Sequence, residues 1–230
     1  MKPSGYVAIV DDDASMRAAL ARLLRVHGIN SLNYASARAF LEALPSHIPD
    51  CLIADVNMPD MTGIELQREL LNCDFRIPTI VITASDDKKH AASAVSLGAV
   101  AFFLKPVPQD ALIAAVHSSQ KRRIVVDWLS ACRSGQLNAL LDLYEKRATL
   151  ICDCDGTYLV GRNSLAIYWK SKLERKVACA FALDDIVPTG DDILVDCQSC
   201  KGRPVRIHFQ FGSLGRILQT HFVPLPRSFA

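Results

Sequence analysis

The sequence has no long hydrophobic run: nothing in its 230 residues approaches the roughly 18 consecutive apolar positions of a spanning helix. Net charge is also scarce, only +2 at pH 7. Neither half is basic enough to require nucleic acid as a partner. There is no internal repeat and no low-complexity tract. Asp11, Asp12 and Asp13 come too early for a cleavable leader. Without a leader, the eight cysteines are expected to be reduced thiols of a cytoplasmic protein, not a disulfide framework.

What is present argues for two folded units. Half the residues are hydrophobic and 22% are charged, enough apolar material for a sizeable core. Residues 1–120 hold ten Lys or Arg against thirteen Asp or Glu, and residues 121–230 hold sixteen against eleven. The expected division is therefore 1–120 and 121–230, with Lys121-Arg122-Arg123 at the seam. That basic run reads as a solvated helix start, since three charges are few for a nucleic-acid arm.

The first half alternates strand and helix. Apolar runs at Val7–Val10, Cys51–Ala54, Thr79–Thr83 and Ala101–Leu104 read as buried parallel strands, with a weaker one around Ser31 to Tyr34. Helical spacing follows at Met16, Leu20, Leu23 and Leu24, stopped by Gly28. Further helices fit a stretch capped by Ser36, then Ile64–Leu71, Lys88–Leu97 and Asp110–Ser118. This order predicts an α/β fold: a five-stranded, doubly wound, open parallel sheet.

The second half breaks that order. Helices are expected from Ile124 to about Arg133, over Leu137 to Tyr144, and over Ser164–Arg175. A strand is expected at Ala148–Cys152. Four more follow near Val177–Ile186, Ile193–Cys197, Pro204–Phe211 and Arg216–Val223. Helices followed by an antiparallel meander predict an α+β domain whose curved sheet wraps a helix.

In a parallel sheet the residues that end the strands gather at the carboxyl edge, where open α/β folds bind ligands. Asp11 and Asp12 follow the first strand and Asp55 the third; Thr83 ends the fourth and Lys105 follows the fifth. Three carboxylates in one crevice repel one another, and each tends to take up a proton unless a cation sits among them. Oxygen ligands with room for water suit Mg²⁺. Lys105 and Thr83 suit an anion with several oxygens, such as a phosphoryl group. Asp55 stands alone between the acidic pair and those two residues, in a loop held by Pro59 and Gly63. It is the candidate nucleophile, and attack on phosphorus would yield an acyl phosphate.

Residues 6–119 resemble the receiver domain of two-component response regulators, CheY-like and flavodoxin-like in fold. The matching motifs are V-D-D at 10–12, D-x-x-M-P at 55–59, the I-T-A of the fourth strand, and K-P at 105–106. The resemblance implies that Asp55 is phosphorylated by a sensor histidine kinase. It implies Mg²⁺ held by Asp12, Asp55 and the backbone carbonyl of Asn57, with Asp11 acting through water. Thr83 and Lys105 would bind the phosphoryl oxygens. Phe102 would occupy the switch position that turns inward with Thr83, although as a lone residue it also reads as plain core. A cis bond before Pro106 is implied as well.

Residues 122–226 resemble the NTF2-like or SnoaL-like superfamily, a cone of curved sheet and helices. The match rests on Trp128-Leu129-x-Ala131, Ser134-Gly135-Gln136-Leu137, Leu143-Tyr144, Ala148-Thr149-Leu150, Val160-Gly161-Arg162 with Ala166-Ile167, and Val205-x-Ile207-His208-Phe209. These are mostly packing positions, which speak for a fold more than an activity. The superfamily includes ketosteroid isomerases. Their catalytic Tyr, base and second Asp would fall on Trp128, near Cys152 and near Ile207. Those side chains cannot run that chemistry, yet they mark a possible ligand cavity.

Asp153, Asp155 and His208 are further candidate polar groups, though a strand-end turn pair and an outward strand residue explain them better. Cys152, Cys154, Cys197 and Cys200 contain the spacing for zinc, but not as the usual paired ribbon. Cys51, Cys73, Cys132 and Cys179 read as small core residues.

The functional expectation is a phosphorylation-controlled signalling protein, not an enzyme, whose cone binds a ligand, a partner or its own twin. The alternative is a small-molecule enzyme of isomerase or cyclase type gated by phosphorylation. A homodimer is expected, either through the fourth and fifth receiver helices or through the alternating Val205, Ile207, Phe209 and Phe211, which otherwise line the cone. Sequence-specific DNA binding is not expected, because no recognition helix is evident.

Overall fold

In a computed structural model of the 230-residue chain, residues 5–44, 48–73, 75–84, 88–174, 182–190, 192–198, 203–212 and 215–226 are described. The chain divides into two compact units, Met1–Gln120 and Lys121–Ala230. Among the described residues, no helix is long and apolar enough to cross a membrane.

The first unit is built on β1 (Val7–Val10), β2 (Ser31–Tyr34), β3 (Cys51–Asp55), β4 (Thr79–Thr83) and β5 (Ala101–Leu104). These pair in parallel in the order β2-β1-β3-β4-β5. β1, β3 and β4 are buried along their whole length, which is why they read as unbroken apolar runs without alternation. Helices α1 (Ala14–Val26), α2 (Ala37–Ala43), α3 (Gly63–Asn72), α4 (Lys88–Ser96) and α5 (Gln109–Ser134) connect and follow them. Core clusters form on both sides of the sheet. One joins Ile9, Leu20, Leu24, Ile53, Ile82 and Val116; another joins Val10, Phe40, Leu52, Ala54, Leu66 and Leu70.

Local signals set the helix starts. The Asp13 carboxylate accepts from the backbone N–H of Ser15 and Met16 to cap α1. Ser36 caps α2 through the N–H of Ala39. Thr62 and Glu65 form a reciprocal capping box on α3.

The structure departs from the sequence reading at α5. The separate helices expected at Asp110–Ser118 and from Ile124 are one continuous helix. Lys121, Arg122 and Arg123 sit inside it, since Lys and Arg are good helix formers whose charged ends reach water. Leu112, Ile113 and Val116 contribute to the core of the first unit. Val125, Trp128, Leu129 and Cys132 contribute to the core of the second.

The second unit continues with α6 (Leu137–Asp142), β6 (Tyr144–Cys152), β7 (Thr157–Val160), α7 (Arg162–Glu174), β8 (Ala182–Thr189), β9 (Asp192–Gln198), β10 (Pro204–Phe211) and β11 (Ile217–Pro224). Its six-stranded sheet runs β7-β6-β11-β10-β9-β8. The expected meander is present from β8 to β11. β6 adds parallel to β11, and β7 pairs back on β6. Tyr144, expected to end a helix, instead starts β6, and β7 was not anticipated.

Aromatic rings fill the interior. Trp128 meets Trp169 edge-on at 5.4 Å between centroids and Phe209 at 5.2 Å. Its indole N–H donates to Tyr144 Oη at 2.8 Å, and that hydroxyl lies 3.3 Å from Thr220 Oγ1. Val205, Ile207 and Phe209 face this core. The alternation on β10 therefore lines the unit's own interior and does not offer an apolar face to a twin.

Trp128 is fully buried and carries both packing and a hydrogen bond, so its replacement has graded consequences. Trp128→Ala is expected to destabilise the second unit by about 3–5 kcal/mol. Trp128→Phe, which keeps an aromatic ring but loses the N–H donor and part of the packing, is expected to cost less, about 1–3 kcal/mol. Urea unfolding followed by circular dichroism would check the order of the two.

Candidate functional site

The carboxyl ends of β1, β3, β4 and β5 meet in one crevice. Asp11 directly follows β1, Asp55 ends β3, Thr83 ends β4, and Lys105 follows β5. Asp11, Asp55 and Thr83 are buried, whereas Asp12 is exposed. One carboxylate oxygen from each of Asp11, Asp12 and Asp55 lies within 4.8 Å of the other two.

Lys105 is the counter-charge. Its Nζ donates to Asp11 Oδ2 at 3.0 Å and lies 2.8 Å from Asp55 Oδ1. The second contact is also charge-assisted, so one ammonium spans the two buried carboxylates. The other oxygen, Asp55 Oδ2, accepts from the Asn57 backbone N–H at 3.1 Å. Asp11 Oδ1 accepts from the Asp13 N–H at 2.8 Å. The Asn57 side-chain amide donates to Thr83 Oγ1 at 3.2 Å, tying the β3 and β4 ends together. The Lys105-Pro106 bond is cis.

Burial raises Asp55 above the ordinary carboxyl range and Asp11 adds to the rise, while Lys105 and the Asn57 N–H act against it. Burial pulls Lys105 down, yet its contacts with Asp55 and Asp11 reverse this and leave it raised. The cluster thus holds more negative charge than one ammonium offsets. Three carboxylates whose oxygens lie within 4.8 Å of one another, sharing one ammonium, fit a hard divalent cation with oxygen ligands.

The loop after Asp55 is held from beneath. The Gly63 N–H donates to Val56 O at 3.2 Å. A Cβ on Gly63 would fall 2.3 Å from the Asp55 carbonyl oxygen and 3.0 Å from its carbon, so α3 starts against the Asp55 backbone with no room for a side chain. Asp60 adopts φ 66° in the same loop, a left-handed conformation that Asp tolerates better than most residues. Phe102 sits opposite Val81 on β5 and packs half-buried beside Val56, Ile64, Val81 and Ala94.

The residues proposed for the second unit are not gathered in this way. Trp128, Cys152 and Ile207 belong to its packed core. Burial pushes the Cys152 thiol up to about 12. Asp153 pairs with His221 at 2.9 Å, His208 with Asp192 at 2.9 Å, and Asp155 with Lys172 at 3.3 Å. Cys51 and Cys132 are buried as expected, but Cys73, at the C-cap of α3, is exposed. Cys152 and Cys197 are buried and Cys154 is exposed. Cys179 and Cys200 lie outside the described residues.

One residue the sequence reading passed over is Gln67. It is buried on α3, and its side-chain amide donates to the carbonyls of Ala94 and Leu97 at 3.3 and 3.0 Å. A glutamine between Leu66 and Arg68 on an amphipathic helix carries no sequence signal for such a role.

Residues 7–117 match the response regulator receiver domain family. The transcriptional regulatory protein FixJ of Bradyrhizobium diazoefficiens is 37% identical over 119 residues, covering 52% of this chain and 58% of FixJ. The response regulator protein TmoT of Ectopseudomonas mendocina is 37% identical over 115 residues, 50% of this chain and 52% of TmoT. The chain thus spans just over half the length of these relatives. Among solved structures, a response regulator receiver domain protein from Clostridium thermocellum shares the fold, with TM-score 0.51 and 23% identity, over 54% of this chain and 99% of its own. Residues 7–117 are a response regulator receiver domain with a five-stranded parallel sheet.

The space beneath Asp55 gives a direct check on this geometry. Gly63→Ala is expected to push the Asp55 carbonyl outward and to destabilise the first unit by about 1–3 kcal/mol. Urea unfolding and the amide resonances of Asp55 and Val56 would report it. Unchanged stability and unmoved resonances would mean that the loop has slack.

Proposed function

We propose that this protein is a response regulator of a two-component phosphorelay and that Asp55 is its phosphoryl acceptor. The observation that carries the reading is the setting of Asp55. It combines contact of Oδ1 with Lys105 at 2.8 Å, an Asn57 N–H on Oδ2, and Thr83 tied to the same loop. Attack by an Asp55 carboxylate oxygen on a phosphohistidine would form the O–P bond as the N–P bond breaks, its electron pair returning to the imidazole of the kinase. Asp12, Asp55 and the Asn57 carbonyl would hold Mg²⁺, with Asp11 acting through water. When bound, the ion would offset charge on the carboxylates and the incoming phosphoryl oxygens. Thr83 and Lys105 would receive those oxygens, and Phe102 would follow Thr83 as the switch residue.

For residues 121–230 we infer an NTF2-like or SnoaL-like output domain that binds a ligand, a partner or its own twin. Support comes from two helices, two strands, a helix and a four-strand meander in that order, with β6 parallel to β11. An isomerase-like enzyme is disfavoured by the side chains at the corresponding positions. Trp128 is engaged with Tyr144, Cys152 is too weak an acid to ionise near neutral pH, and Ile207 is apolar. Sequence-specific DNA binding is not part of this reading, because the second unit is organised around a six-stranded sheet. A sensor histidine kinase is the expected upstream partner. A homodimer through α4 and α5 is supported by the exposed Val95, Val100 and Leu104 along α4 and β5.

Incubation with a small acyl-phosphate donor and Mg²⁺ is expected to add one alkali-labile phosphate, absent from Asp55→Asn and prevented by chelation of the metal. Lys105→Ala is expected to weaken the structural response while leaving the carboxylates in place. Uptake by Asp55→Asn at the wild-type rate would refute the assignment.

Light scattering with and without the same donor is expected to show a dimer whose population rises on phosphorylation. A monomer in both conditions, well above micromolar concentration, would refute the pairing.

A further inference from the structure

We propose that Gln67 is a positioning residue that latches α4 to the Asp55 loop and so transmits the state of Asp55 to the surface of α4. The proposal rests on Asp55 being the phosphoryl acceptor.

Helix α4 is weakly held. Between residues 89 and 96 its one buried residue is Ala94, while Val95 is exposed. The cluster beneath it contains Val56, Ile64, Val81 and Ala94, with Leu97, Ala99 and Phe102 against its edge. No large buried side chain of α4 itself, among those described, anchors it to the sheet.

The C-terminal turn of a helix also leaves carbonyl groups without intrahelical donors. At α4 the chain turns at Gly98, with φ 81°, and the Ala99 N–H returns to the Ala94 carbonyl at 2.9 Å. The Gln67 amide adds a second donor to Ala94 O at 3.3 Å and gives one to Leu97 O at 3.0 Å. Ala94 lies in the last turn of α4 and Leu97 just beyond it, ahead of β5 and Phe102.

At its other end Gln67 is tied to the phosphoryl site. α3 begins at Gly63, packed against the Asp55 carbonyl with no space for a Cβ. Gln67 is one turn further on, so a shift of the Asp55 loop moves α3 and the Gln67 amide with it. The latch is also incomplete. Gln67 is 3% exposed, and its buried Oε1 accepts no hydrogen bond among the described residues. A side chain with both donors engaged and its acceptor unmet is held less firmly than a fully satisfied one. Its release would free α4 beside Phe102 without breaking the sheet.

Amide hydrogen exchange on the full-length protein tests this, using Gln67→Met, which keeps the bulk without donors, and Gln67→Asn, which keeps the amide but shortens it. In the resting state both variants are expected to exchange at least tenfold faster in the peptide spanning residues 91–100. Exchange in β1 and β3 should be unchanged. After treatment with a small acyl-phosphate donor, the change in that peptide should shrink at least threefold while phosphate uptake continues. In the wild type, the Gln67 side-chain NH₂ resonances should be protected from solvent exchange and lose protection on phosphorylation. Wild-type exchange in α4 in either variant would overturn the latch, as would loosening spread evenly through the first unit. Failure of Asp55 to take up phosphate would be a separate result, seen without any Gln67 variant.

Discussion

The structure depends on one electrostatic imbalance. Three carboxylates, Asp11, Asp12 and Asp55, are brought within a few ångströms at the end of the parallel sheet, and the ammonium group that reaches Asp11 and Asp55 is Lys105. Two of the carboxylates are buried, where charge is screened least. Such a cluster persists only if the backbone forces it and something else neutralises it. The backbone forces it because the strands are parallel, so all their carboxyl ends share one edge. Neutralisation by Lys105 is partial, and on the proposed reading a divalent cation would complete it and, with Lys105, attract the phosphoryl anion.

The elements around the site divide into firm and loose. β1, β3 and β4 are fully buried and fix where Asp11, Asp55 and Thr83 stand. Gly63 fixes the start of α3 against the Asp55 backbone. In contrast, α4 presents little to the core. Signal-bearing parts of proteins come from the low-stability end of the fold, and α4 with its neighbour Phe102 meets that description by its thin packing.

Much of the first unit was legible because its chemistry is local. Each strand is a short apolar run, and each site residue ends or follows one, so strand order alone assembles Asp11, Asp55, Thr83 and Lys105. The parts that were not legible depend on tertiary contacts. Lys121-Arg122-Arg123 resembles a break until Leu112, Ile113 and Val116 before it and Val125, Trp128, Leu129 and Cys132 after it are seen to be buried positions of one helix. Tyr144 fits a helical spacing from Leu137, yet it starts β6, where its hydroxyl lies between Trp128 and Thr220. The alternation of Val205, Ile207 and Phe209 specifies a half-buried strand but cannot say which surface covers it. Gln67 was invisible for the same reason: its partners lie about 30 positions away.

The central claim is that the acidic crevice is completed by a divalent cation. Calorimetric titration of Mg²⁺ into the full-length protein, compared with Asp12→Asn and Asp55→Asn, tests it most directly. One saturable site in the wild type, weakened or lost in both variants, is the predicted result. No saturable binding at millimolar Mg²⁺, or binding unchanged by removing either carboxylate, would contradict it.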